Sequence, residues 1–209
     1  MAKYNITKIE CPRCHTQNSK RTWKEINVLT NPDLKKKVKN QSLFKFACKE
    51  CGYEALLDYS LIYEDGQYRI YYVTTQDELD EVLDLLESKD ELAQQDSKKN
   101  RIVCSQEDLI EKINIFDLGL DDKIIEVIKV LFYMNLQQQK EVNIDAILFS
   151  KETSYHLRFL NQGFEEGNVS FDDDLYNRVK EQYMDYMEED ARIDFDWATS
   201  VLTKGAMSA

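Results

Sequence analysis

The residues of this chain best suited to chemistry are four cysteines in two CxxC pairs. Cys11-Pro12-Arg13-Cys14 and Cys48-Lys49-Glu50-Cys51 each hold two sulfurs at the spacing of a tight turn. Such a turn sets both thiolates on one side of the backbone and points N–H groups at them. Two of them make the closed tetrahedral site of a structural zinc ion, with Zn–S bonds of about 2.3 Å. Cys11, Cys14, Cys48 and Cys51 are therefore assigned as ligands of one structural zinc. Four cysteine ligands leave no open coordination position, which argues against catalytic zinc. A rubredoxin-type iron centre would use the same four thiolates. Two disulfides, or a redox CxxC, would need an oxidising compartment or a thioredoxin-like βαβ context, and the sequence offers neither. Gly52 follows the second pair and suits the left-handed backbone that ends a knuckle. His15 occupies the equivalent place after the first pair, within reach of replacing a cysteine as ligand. The fifth cysteine, Cys104, falls in an expected strand and reads as a small buried apolar residue.

Other chemistry is sparse. The chain has no P-loop, no dinucleotide glycine fingerprint, no GxSxG and no HExxH. Its second histidine, His156, sits between Tyr155 and Leu157 in an expected strand and reads as a surface or structural residue. Asp172-Asp173-Asp174 and Glu188-Glu189-Asp190 would attract a hard cation but lack the alternating spacing of a calcium loop. Helix capping accounts for the first of them. No catalytic residue is assigned, and the chain is read as a non-enzyme.

The elements that must position the cysteines follow from the pattern. The pairs are separated by 33 residues, against about 15–20 in an ordinary ribbon, so the insert holds structure of its own. Strands are expected at Ile6–Ile9, Arg21–Val28 and Ser42–Ala47, with a short basic helix from Asn31-Pro32-Asp33 to about Val38. Tyr53 to Tyr63 and Tyr68 to Val73 should flank a hairpin at Glu64-Asp65-Gly66-Gln67. Thr75-Gln76-Asp77-Glu78 is a capping box for a helix with Leu79, Val82, Leu83 and Leu86 on one face. The latter part of Ser88–Asn100 is polar and marks a boundary.

Beyond it, Arg101–Cys104 reads as a strand and Ser105 caps a helix that Gly119 ends. Asp121 caps the next helix, whose Ile124, Ile125, Val127, Ile128, Leu131, Phe132 and Leu136 make it the central buried one. Strands follow at Asn143–Phe149 and Tyr155–Asn161, then a turn with Gly163 and Gly167 and a short strand at Val169–Phe171. A long helix starts at Asp172, and Asp194 or Asp196 caps a last one. The fold class is α+β. A mainly β zinc-ribbon-like module is expected over 1–75, a helix and polar linker over 76–100, and an acidic α+β domain over 101–209.

Several of these segments resemble a known family. CPRC, then NVLTNPDLKKKV, then LFKFACKECGYEALLDYSLIYED is similar to the CpXC domain of bacteria and archaea, and RIVCSQEDLIEKINIFDLGLDDKIIEVIKVL to the companion region of its longer members. The second pair, CKEC, departs from the family in lacking proline but keeps both thiolates. The resemblance implies zinc binding and supplies no activity.

Composition sets the partner classes. Of the 209 residues 43% are hydrophobic and 32% charged, enough to build one medium core or two small ones. MAKYNITKIE has no apolar leader core, and no run approaches the roughly 18 apolar residues of a membrane span. A cytoplasmic protein with reduced thiols is expected. The net charge of −12 is unevenly spread: the first 50 residues carry a formal +8 and the remainder −20. Two functions fit. In the first, the zinc ribbon stiffens a β module that docks another protein, and the acidic domain is a second docking or regulatory surface. In the second, Lys20, Arg21, Lys24, Lys35, Lys36, Lys37 and Lys39, with Lys45, contact nucleic-acid phosphates. Trp23, Phe44 or Phe46 would stack on bases, and the acidic domain would mask the site. Neither membrane nor small-molecule substrate is indicated.

Overall fold

The computed structural model describes residues 3–92, 98–139 and 143–207. The chain divides into two compact units, Met1–Ile110 and Glu111–Ala209. Both helices and strands contribute throughout, so the α+β class holds.

The first unit is built on a mixed five-stranded sheet in the order β1-β2-β5-β6-β7. Its strands are β1 (Lys3–Glu10), β2 (Gln17–Asn27), β5 (Leu61–Asp65), β6 (Tyr68–Tyr72) and β7 (Lys99–Val103). β1 and β2 form one antiparallel hairpin and β5 and β6 another, while β2 runs parallel to β5 and β6 parallel to β7. Asp65 pairs with Tyr68, so Gly66 and Gln67 make a two-residue turn, with Gly66 at φ 57°. Ile26, Tyr63 and Ile70 lie in one cross-strand row and are wholly buried.

The insert between the cysteine pairs holds β2, helix α1 (Asp33–Lys39) and strand β3 (Lys45–Ala47). Leu34 and Val38, four apart on α1, are its buried residues. β3 pairs antiparallel with β4 (Glu54–Leu56) in a small separate sheet. Phe44 is fully buried and meets Tyr72 edge-on at 6.2 Å. The segment expected as one strand from Tyr53 to Tyr63 is thus divided between two sheets.

Helix α2 (Gln76–Leu92) starts with the expected capping box. The Thr75 N–H donates to Glu78 Oε2 at 3.2 Å and the Glu78 N–H to Thr75 Oγ1 at 3.3 Å. Most of the polar segment expected to mark a boundary, residues 93–97, lies outside the described residues. Arg101–Val103, expected to open the C-terminal domain, instead pair with Ile70–Tyr72 as part of β7. Tyr71, Tyr72, Ile102 and Val103 are all buried there, which ties that strand to the first sheet. Cys104 follows β7 and is exposed, against the expectation of burial. The division between units falls inside helix α3 (Gln106–Asp117), whose Ser105 cap accepts from the Asp108 N–H at 3.0 Å.

The second unit sets α4 (Asp122–Gln139) in its core. Around it are a three-stranded antiparallel sheet in the order β10-β9-β8 and helices α5 (Asp173–Tyr183) and α6 (Phe195–Met207). The strands are β8 (Ala146–Lys151), β9 (Tyr155–Asn161) and β10 (Phe164–Phe171). Ile124, Ile125, Val127 and Ile128 of α4 share one cluster with Phe149, Leu157, Phe159, Phe171, Val179, Ala198 and Val201. β10 is longer than expected. The turn is Gln162-Gly163 alone, with φ 50° and 81° at its two positions, and Gly167 lies at a register shift inside the strand. Asp172 caps α5 through the Leu175 N–H, and Asp194 caps α6 through the Trp197 N–H, both at 3.0 Å.

This core also contains a charge cluster. Glu111, Lys112, Asp122, Glu126 and Lys129 are each at most 5% exposed. Lys112 Nζ lies 3.1 Å from Asp122 Oδ2 and 3.2 Å from Glu126 Oε1, and donates to the Ile193 carbonyl at 2.9 Å. Lys129 Nζ lies 2.5 Å from Glu111 Oε2 and 3.0 Å from Glu126 Oε1. The other oxygen of Glu111 accepts from the Phe149 N–H. Burial works against both ammonium charges, but Asp122 and Glu126 beside Lys112, and Glu111 and Glu126 beside Lys129, outweigh it. Both lysines are held above the ordinary lysine range. Among the described residues, no helix is long and apolar enough to cross a membrane.

Candidate metal centre

Each cysteine pair sits at the end of a hairpin. The first knuckle joins β1 to β2, and the second joins β3 to β4. Their backbones repeat the same two bonds. The Cys11 N–H donates to the Thr16 carbonyl at 3.1 Å and the His15 N–H to the Cys11 carbonyl at 2.9 Å. The Cys48 N–H donates to the Tyr53 carbonyl at 2.8 Å and the Gly52 N–H to the Cys48 carbonyl at 3.1 Å. His15 and Gly52 both take the left-handed conformation, at φ 58° and 70°. A histidine pays for that conformation about 1–2 kcal/mol that glycine does not.

The four sulfurs converge, all lying within 4.8 Å of one another. The nearest approaches run between knuckles, with Cys11 Sγ 3.6 Å from Cys51 Sγ and Cys14 Sγ 3.6 Å from Cys48 Sγ. Four sulfurs at about 2.3 Å from one ion would be about 3.8 Å apart, so the observed set fits a tetrahedral shell. A disulfide would bring two sulfurs to about 2.05 Å, and no pair comes near that. Cys11 and Cys48 are buried with Phe46, and Ile9, Tyr53 and Leu57 pack against them.

Electrostatics favour a cation among these sulfurs. The Cys51 and Glu50 N–H groups and the Asn18 amide draw the Cys48 thiol down to about 6 against the opposing effect of burial. Thr16, through its hydroxyl and its backbone, lowers Cys14. The Tyr53 N–H favours a thiolate at Cys51, but burial and the sulfurs of Cys14, Cys11 and Cys48 push it up to about 12. Cys51 therefore keeps its proton near neutral pH unless a cation stabilises its thiolate, as a divalent metal ion would.

Asn18 belongs to no motif of the sequence, yet it supports the site. It is buried on β2, where its amide donates to the Thr16 carbonyl at 2.9 Å and to Cys48 Sγ at 3.5 Å. Its oxygen accepts from the Lys49 N–H at 3.1 Å. One side chain thus joins both knuckles and supports a ligand. Only its place at the start of β2, two residues past Thr16, hinted at this. Asn18→Ala is expected to weaken metal affinity about 10–100-fold with the stoichiometry unchanged, measured by competition with a chromophoric chelator. His15 is not drawn into the site. Its Nδ1 bonds to Glu10 Oε1 at 2.8 Å on the surface. His15→Ala should therefore leave metal content unchanged, and a lost ion would make it a ligand.

The basic residues proposed for phosphate contact are only partly available. Lys20 donates to the Lys45 carbonyl, Lys35 pairs with Asp65 at 2.7 Å, and Lys45 pairs with Glu54 at 2.7 Å. The Arg21 guanidinium lies over Tyr4 at 4.2 Å and over Trp23 at 5.5 Å. Lys24, Lys36, Lys37 and Lys39 are exposed. Phe44 and Phe46 are buried, so neither stacks on a base, and half-buried Trp23 meets the Tyr4 ring edge-on at 5.3 Å. The two acidic runs are otherwise employed: Asp172 caps α5, Glu188 pairs with Lys204, and Glu189 pairs with Lys123. His156 Nε2 contacts Ser154 Oγ at 3.0 Å. Among the described residues, the four cysteines are the group whose ligand atoms come together to hold a metal.

A family model described as CpXC protein matches residues 9–129, more than half of the chain and inclusive of all four cysteines. The chain belongs to the CpXC family. No curated protein and no solved structure matches this CpXC chain. The matched span covers both knuckles, strands β2 to β7, helices α1 to α3 and the start of α4.

Proposed function

We propose that this CpXC protein is a non-enzymatic interaction or regulatory protein in which one structural zinc ion rigidifies a docking module for another protein. The observation that carries this reading is the closed set of Cys11, Cys14, Cys48 and Cys51. Four thiolates fill a tetrahedral shell and leave no position for water or substrate, so the ion serves shape. Zinc is the metal of choice for such a site, since it holds tetrahedral sulfur geometry without redox change. A cytoplasmic location keeps the thiols reduced and suits it. Elemental analysis of the purified full chain should find one zinc per chain; iron with the colour of a thiolate centre would overturn the metal assignment.

Nucleic-acid binding is the competing reading, supported by the formal +8 of the first 50 residues. The two separate by salt. The zinc-loaded full chain is titrated into labelled mixed-sequence single-stranded RNA and DNA at low and moderate salt. No binding at low salt is the expected result. Binding whose affinity falls steeply with salt would replace the protein-docking reading with a phosphate-binding one.

A further inference from the structure

β1 is the outer strand of the five-stranded sheet, and among the described residues its ladder is with β2 alone. Seven of its eight residues are exposed. It contains no proline, and its one irregularity lies at its start, between Lys3 and Tyr4. Tyr4 and Ile6 are 46% and 61% exposed. Edge strands left long and regular with apolar side chains invite pairing with another chain.

The ladder fixes which backbone groups are available. The Cys11 N–H donates to the Thr16 carbonyl, continuing the register in which Glu10 opposes Gln17. Hydrogen-bonded and non-hydrogen-bonded pairs alternate along an antiparallel ladder. The odd-numbered residues of β1 therefore bond inward to β2, and Tyr4, Ile6, Lys8 and Glu10 turn N–H and C=O outward.

We propose that two copies of the chain associate through this edge, β1 pairing antiparallel with β1 of a second copy about a two-fold axis at Ile6. In that register Ile6 faces Ile6 of the second copy and Tyr4 faces its Lys8. The outward groups of all three residues are then paired. At the intervening positions Asn5 faces Thr7, polar against polar. Lys8 brings its ammonium to the side of the Tyr4 ring away from β2, a cation–π contact, and no two like charges oppose each other. Moving the axis to Thr7 would set Ile6 against Lys8 and Asn5 against Ile9, so the pattern favours the Ile6 register over that one. One strand edge is small beside a standard interface of about 1,600 Å², so the dimer should be weak and concentration-dependent. Such a dimer does not depend on the docking role proposed above.

Sedimentation equilibrium of the zinc-loaded full chain tests this. The apparent mass should rise from the 24.6 kDa of one chain toward twice that value as concentration increases. Ile6→Lys sets two ammonium groups face to face and should hold the mass at one chain, with metal content and circular dichroism unchanged. Register is read separately by mild oxidation in the presence of zinc. A mixture of Asn5→Cys and Thr7→Cys chains should cross-link well above the wild-type background, and neither variant alone should do so. That cross-link decides the matter if Ile6→Lys fails to fold. A one-chain mass at every concentration, a dimer that survives Ile6→Lys, or no mixed cross-link overturns the proposal.

Discussion

Chelation of the metal, or Cys48→Ser, is expected to unfold the ribbon of the first unit while the helical core of the second stays folded. The ribbon has little else to hold it. Its buried cluster is Cys11, Phe46 and Cys48, and two of these three belong to the four-cysteine group. β3 and β4 are three residues each, and a two-stranded sheet of that size is marginal in water. In zinc-finger peptides the metal supplies about 10–16 kcal/mol of folding free energy. The second unit instead buries Ile124, Ile125, Val127 and Ile128 against three strands and two helices. Hydrogen exchange read by mass spectrometry checks the difference. Protection should vanish over residues 9–18 and 44–57 and persist in α4. Equal loss in α4 would show that the two units fold as one.

The second large effect lies in the buried charge cluster. Lys129→Ala would take from buried Glu111 the ammonium 2.5 Å from its carboxylate, while Glu126 would keep Lys112 at 3.2 Å. Removing one member of a buried ion pair costs about 3–5 kcal/mol, because the charge left behind has lost its water as well as its partner. Urea denaturation should show that loss with the metal still bound. A change under 1 kcal/mol would mean that water reaches the site. The sign of the pH dependence follows from the raised lysines. Their stabilisation is complete below the unfolded lysine value of about 10.4, and is lost as pH climbs from there through the folded values. This cluster should therefore contribute an alkaline loss of stability and no change between pH 7 and 9.

The convergence of the four cysteines was legible because two tight CxxC turns in one small β module are the usual frame of a metal site. The caps were legible too, since Thr75, Ser105, Asp172 and Asp194 each satisfy helix N–H groups through purely local contacts. What stayed hidden depends on partners distant in sequence. Nothing local shows that Arg101–Val103 will lie beside Ile70–Tyr72, and a polar segment before a strand looks like a domain boundary. Asn18 reads as an ordinary polar strand residue until the second knuckle, thirty residues on, brings the Lys49 N–H to it. Glu111, Lys112, Glu126 and Lys129 look like solvated helix charges. Each is buried only because its counter-charge stands on the neighbouring helix. Cys104 was misplaced for a simpler reason: β7 ends one residue before it.

The parallel pairing of β6 with β7 bears on the order of events during synthesis. All four sulfurs have been made once residue 51 is joined, yet the strand that completes the five-stranded sheet is not finished until Val103. At about 5–20 residues per second the ribosome needs several seconds to cover that gap. When residue 51 is joined, three of the five strands of that sheet, β5, β6 and β7, are still to be made. A metal ion that met the four cysteines in that interval would order the knuckles before the sheet is complete.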